Sequence, residues 1–167
     1  MFVTAAGLAG CEQHSGSTRS VFDVGLMRVQ DRANIIPAAE EIDLVRESEA
    51  LEKATSDQVV VATVPTLSGQ DIARFSRDLA NREGIGQAGK DNGVLIVIAP
   101  NDRKVRIAVG YGLEALLSDQ RAAGIVQDML PYFRSGNAPE AAAVGLKEVD
   151  TVLRSDLRRP QYLKKAA

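Results

Sequence analysis

Asp91-Asn92-Gly93-Val94-Leu95-Ile96-Val97-Ile98-Ala99, followed by Pro100-Asn101-Asp102-Arg103, Lys104-Val105-Arg106-Ile107-Ala108-Val109 and Gly110-Tyr111-Gly112, is the run that decides the fold. Gly93 to Ala99 is unbroken and apolar, the pattern of a strand buried on both faces. Pro-Asn-Asp-Arg is turn chemistry. Lys104 to Val109 alternates, with Val105, Ile107 and Val109 on one face and Lys104, Arg106 and Ala108 on the other. The run therefore predicts a hairpin whose second strand has one less buried face. A tight hairpin brings Asp91-Asn92 and Gly110-Tyr111-Gly112 to the same edge of a sheet.

The flanks extend this core. Gln58 to Val64 is a Val-rich strand ended by Pro65. Ser68-Gly69-Gln70-Asp71 has the spacing of a capping box, opening a helix with Ile72, Phe75 and Leu79 on one face. That helix makes a right-handed crossover between two parallel strands, which brings Asp57 to the same edge as Asp91. Residues 38–54 predict a helix with an inward stripe of Ala38, Ile42, Leu44, Val45 and Leu51, Pro37 standing at its first turn. Ser118 or Asp119 caps a further helix, with Ala122, Ile125, Val126, Met129 and Phe133 inward. Ser135-Gly136 ends it. Asn137 starts the last helix, with Ala141, Val144, Val149 and Val152 inward. The expected fold is an α/β layered sandwich, with a mixed, mostly parallel central sheet flanked by helices on both faces.

Composition bounds the chemistry. The 167 residues include one Cys and one His, so the chain forms no internal disulfide and no Cys/His zinc site. A Ser-His-Asp arrangement would need His14, which lies in a polar segment outside the expected domain. Carboxylates, amides, hydroxyls, arginines and backbone remain, a set that suits hard cations, Ca²⁺ or Mg²⁺. The formal net charge is -2 with both signs dispersed, which argues against a nucleic-acid partner.

Three parts are expected along the chain: residues 1–20 as export signal and polar tether, 28–155 as one domain, and 156–167 as a basic tail. Leu8-Ala9-Gly10-Cys11 is similar to a bacterial lipobox, which makes Cys11 a lipidation site and the membrane a partner. The stretch before it lacks the Lys or Arg of a usual signal. No run of eighteen apolar residues predicts a spanning helix. Gly84-Ile85-Gly86-Gln87-Ala88-Gly89 matches G-x-G-x-x-G, but a helix precedes it and a strand follows, the reverse of the dinucleotide-binding order. It reads as a helix end and a loop, and no nucleotide is expected.

The candidate site is the edge where the hairpin closes. Asp57, Asp91, Glu114 and Asp119 supply carboxylates there, and the glycine turns free backbone carbonyls for a cation. Asn92, Gly110, Tyr111 and Gly112 form the rest of the edge. The helix start at Asp119 presents N–H groups to a phosphate oxygen, with Arg121 close by. Each has a plainer reading: a turn, a helix cap, a solvated helix residue. Convergence raises the functional one.

In order along the chain stand Val29-Gln30-Asp31-Arg32-Ala33-Asn34, Gln58-Val59-Val60-Val61-Ala62-Thr63-Val64, Gly84-Ile85-Gly86, Asp91-Asn92-Gly93-Val94-Leu95, Arg106 to Glu114, Leu117-Ser118-Asp119 and Pro131 to Asn137. This set resembles the TPM domain, found in bacterial envelope proteins and in a plant thylakoid branch assigned acid phosphatase activity. The resemblance covers roughly residues 29–153. It implies metal ligands at Asp31, Asp91 and Asp119, with Glu114 as a further one. Asp31 rests on the resemblance alone. Many relatives carry Glu where this chain has Ala108, so a site using that Glu is altered here. Two functions are expected. The first is an exported, membrane-anchored module of the cell envelope that binds Ca²⁺ or Mg²⁺ and supports a membrane-associated complex through a protein partner. The alternative is a metal-assisted acid phosphatase acting on phosphomonoesters.

Overall fold

A computed structural model describes residues 27–157. Cys11, His14, the polar tether and residues 158–167 of the basic tail lie outside the described residues. The elements are β1 (Val29–Asp31), α1 (Ala38–Thr55), β2 (Gln58–Thr63), α2 (Ile72–Arg82), β3 (Gly93–Ala99), β4 (Lys104–Val109), a short 3-10 turn (Tyr111–Leu113), α3 (Asp119–Arg134) and α4 (Ala138–Leu157). The sheet order is β1-β2-β3-β4. β1 and β3 both run parallel to β2, and β4 runs antiparallel to β3.

The mixed α/β sandwich is the one the hairpin and the Val run predict. On one face, Val59, Val61, Val94, Ile96, Ile98 and Ile107 pack with α1, α3 and α4. On the other, Val60, Ala62, Leu95, Val97 and Ala99 pack beneath α2 through Leu79. β2 and β3 are covered on both sides, which is why their sequences do not alternate. Each fully buried Val, Leu or Ile contributes about 1.5–3 kcal/mol relative to exposure.

Three local readings change. β1 is a strand that the sequence pattern did not predict. It is three residues long and exists through its pairing to β2, Val29 opposite Val61. The inward stripe of α1 is Leu44, Ser48 and Leu51, while Ile42 is 51% exposed and Ala38 is also exposed. Ser48 is tolerated because its hydroxyl donates to the Val59 carbonyl, which satisfies a polar group that burial would otherwise penalise. The cap of α2 is Asp71, which accepts from the N–H groups of Ala73 and Arg74 at 3.0 Å each, so Ser68 does not form a capping box. The Arg74 N–H bond holds the Asp71 carboxyl below its ordinary pKa. Ser118, not Asp119, caps α3, accepting from Arg121 N–H. Asn137 caps α4 by accepting from Glu140 N–H at 3.3 Å.

Candidate functional site

The register places the two polar clusters together. Gln58 stands opposite Gly93 and Val109 opposite Val94, so Asp57, Asn92 and Gly110 share the edge where β2 and β3 begin. Gly110 N–H donates to the Gly93 carbonyl at 2.8 Å, and Gly112 N–H to the Asp91 carbonyl at 3.1 Å. The loops touch backbone to backbone. A Cβ on Gly112 would lie 2.0 Å from the Lys90 carbonyl oxygen, so only glycine fits there.

Asn92 is the lock of this edge. It is buried, and its amide donates to the Ser56 carbonyl at 2.6 Å and to Asp57 Oδ1 at 3.3 Å. Its Oδ1 accepts from Gln87 N–H at 2.8 Å. Gln58 extends the network, accepting from Gly86 N–H at 2.9 Å and donating to Glu52, which also holds Arg28. Both amide hydrogens of Asn92 are committed, so it ties the α1–β2 loop to the α2–β3 loop. The Gln58–Gly86–Gln87 part of the network was not expected. Its only trace in the sequence is a Gln opening an otherwise apolar strand.

Asp31 stands apart from the other candidate carboxylates. Asp31 ends β1 opposite Thr63, which pairs with β3 at Ile98. Five residues from Ile98 back to Gly93 amount to about 16 Å of strand, so Asp31 lies at the far end of the sheet from Asp91. Its carboxylate accepts from Ile35 N–H at 3.2 Å, Ile36 N–H at 2.8 Å and the Thr63 hydroxyl. It organises the turn between β1 and α1. Asp91, Glu114 and Asp119 are exposed, and their carboxylates make no hydrogen bond or ion pair among the described residues. Tyr111 is 81% exposed. Arg121 Nη1 donates to the Leu116 carbonyl at 2.7 Å, closing the turn before α3.

Among the described residues, no three His, Cys, Asp or Glu side chains stand close enough to enclose a metal ion. The donor set does not fit a closed protein cage. Ala108 packs against the core cluster beneath α2.

The TPM domain model matches residues 29–152. The chain belongs to the TPM domain family. Among solved structures, the N-terminal domain of a protein from P. gingivalis is 31% identical, with a TM-score of 0.74 over 80% of this chain and 86% of that one. A protein from Bizionia argentinensis is 23% identical, with a TM-score of 0.63 over 72% of this chain and 82% of that one. The N-terminal domain of a Corynebacterium glutamicum protein is 12% identical, with a TM-score of 0.62 over 90% and 86%. At these identities the last two are alike in fold alone. None of the curated proteins matches the chain. Among the described residues of this TPM domain, no helix is long and apolar enough to cross a membrane.

Proposed function

We propose that this TPM domain is a nonenzymatic module of the bacterial envelope, anchored through a lipid on Cys11, that binds Ca²⁺ or Mg²⁺ weakly and supports a membrane-associated complex. The observation that carries the reading is the contrast between two kinds of polar group. The side-chain amides of the edge are spent on holding loops together, while the carboxylates of Asp91, Glu114 and Asp119 are exposed and unpaired. An exposed carboxylate with unused oxygens can take a divalent cation whose other ligands are water and backbone carbonyls. Affinity of about 0.1–1 mM follows from a site made mostly of water and carbonyls.

The alternative, a metal-assisted acid phosphatase, has less support. Arg121 and Ser118 are engaged with the turn that starts α3. No imidazole stands among the described residues to serve as a base, so a carboxylate would act as both acid and base.

A thermal-shift titration tests the reading. At 10 mM Ca²⁺ the native state gains about 1.5 kcal/mol if the dissociation constant is near 1 mM, and Asp91→Asn or Asp119→Asn reduces the gain. No shift at that concentration overturns the cation site. Hydrolysis of a generic phosphomonoester that both variants lose would favour the phosphatase instead.

A further inference from the structure

We infer that the free edge of β4 is a docking site for an extended peptide that alternates acidic and small apolar residues, added to the sheet as a fifth strand. Among the described residues β4 is an outer strand, paired to β3. Gly110 N–H bonds Gly93 across the pair, which fixes the phase of the ladder. Ala108, Arg106 and Lys104 then bond inward, and Val105, Ile107 and Val109 turn their N–H and C=O groups outward. Those outward groups have no partner among the described residues. A groove of about 340 Å³ runs beside them, between Val105–Ile107 and the α3 residues Ala122, Ala123 and Val126, with Asp119 at its rim. Small side chains on α3 leave room for a strand's side chains on that face.

Charge selects the occupant. On the α2 face of the edge, Lys104 and Arg106 have no ion pair within 4.0 Å among the described residues. The nearby Asp71 carboxylate feels both Lys104 and Arg106 but is bound to the start of α2. The Arg106 Nε–H is buried without an acceptor, an arrangement that a carboxylate beside it would complete. A second copy joined edge to edge would set both copies' cations on one face. The chain's own tail, with Arg158, Arg159, Lys164 and Lys165, carries the same sign. An incoming strand with carboxylates toward α2 and small apolar side chains toward α3 satisfies both faces, because side chains alternate along a strand. The inference rests on the adaptor reading only for the existence of a partner. The calcium response that Asp91→Asn reduces reads the hairpin edge and the peptide titration reads β4, so either can fail alone.

The test is an amide chemical-shift titration of the 167-residue chain with a capped octapeptide alternating Glu and Val. Shifts are expected at Val105, Ile107, Val109, Ala122, Ala123 and Val126. The Lys/Val counterpart should bind at least tenfold more weakly, and R106E should reverse that preference without removing the outward backbone groups. Ile107→Pro, which deletes one outward N–H, should abolish binding. Equal binding of both peptides, shifts confined to other surfaces, or a dimer formed through β4 without peptide would each overturn the proposal.

Discussion

A Cβ placed on Gly110 would lie 2.1 Å from the carbonyl oxygen of Asp91. No side-chain rearrangement relieves that contact, since the backbone fixes the Cβ and the oxygen it meets is a backbone atom. Gly110→Ala should therefore lower stability by about 3 kcal/mol and the melting temperature by roughly 10 °C, read by circular dichroism. Gly124 in α3 has nothing within 4 Å of the equivalent point. Gly124→Ala should raise stability by about 0.5–1 kcal/mol. Similar effects at both sites would contradict the backbone contact.

Asn92 and Asp91 are neighbours with opposite expectations. Asn92→Ala leaves the Ser56 carbonyl and the Gln87 N–H without partners and should cost about 2–3 kcal/mol in a urea titration. Asp91→Asn keeps a residue that tolerates the left-handed backbone at φ 49 and should change stability by less than about 0.5 kcal/mol. The second variant thus isolates the carboxylate from the fold.

Asp31 should behave as a structural residue. Asp31→Ala removes the acceptors of Ile35 and Ile36 N–H and of Thr63, at a cost of about 2–3 kcal/mol. The resemblance marks it as a metal ligand, but any loss of calcium response in this variant must be compared at equal fraction folded. A stable Asp31→Ala protein with no calcium response would assign Asp31 to the cation after all.

Two carboxyls set a pH dependence. Burial raises the Glu148 pKa above its ordinary 4.5, with Asp128 adding repulsion. Burial likewise raises Glu47, with Asp150 adding to it and Lys147 and Arg154 opposing. In the folded state each carboxyl binds its proton more tightly than in the unfolded chain. Stability therefore falls as pH rises from about 4.5 through the raised values and levels off above them. Glu148→Gln should flatten this slope and stabilise the protein at pH 7 by less than about 1 kcal/mol, since the group is partly solvated. A melting profile from pH 4 to 8 checks both sign and flattening.

Much of this was legible in the residues. The continuous runs of β2 and β3 gave strands covered on both faces, and Pro100 to Arg103 gave the turn that joins Asp91 to Gly110. Local pattern was enough there because period and turn chemistry are local properties. It failed for Val29–Asp31, which carries no period of its own and becomes a strand only by pairing with β2. It failed again at Ile42, where the helix offers two apolar sides and the sheet takes the one with Leu44, Ser48 and Leu51.

The site divides along the same line. The sequence by itself determined the fold class, the hairpin and the shared edge of Asp91, Asn92 and Gly110, because each follows from the period and turns of a short segment. Only the tertiary structure decided which polar groups remain free. Asn92 is consumed by Ser56, Asp57 and Gln87, and Asp31 by Ile35, Ile36 and Thr63. The carboxylates of Asp91, Glu114 and Asp119 stay in solvent. Hydrogen-bond partners distant in sequence settle that question, and a one-dimensional pattern does not contain them.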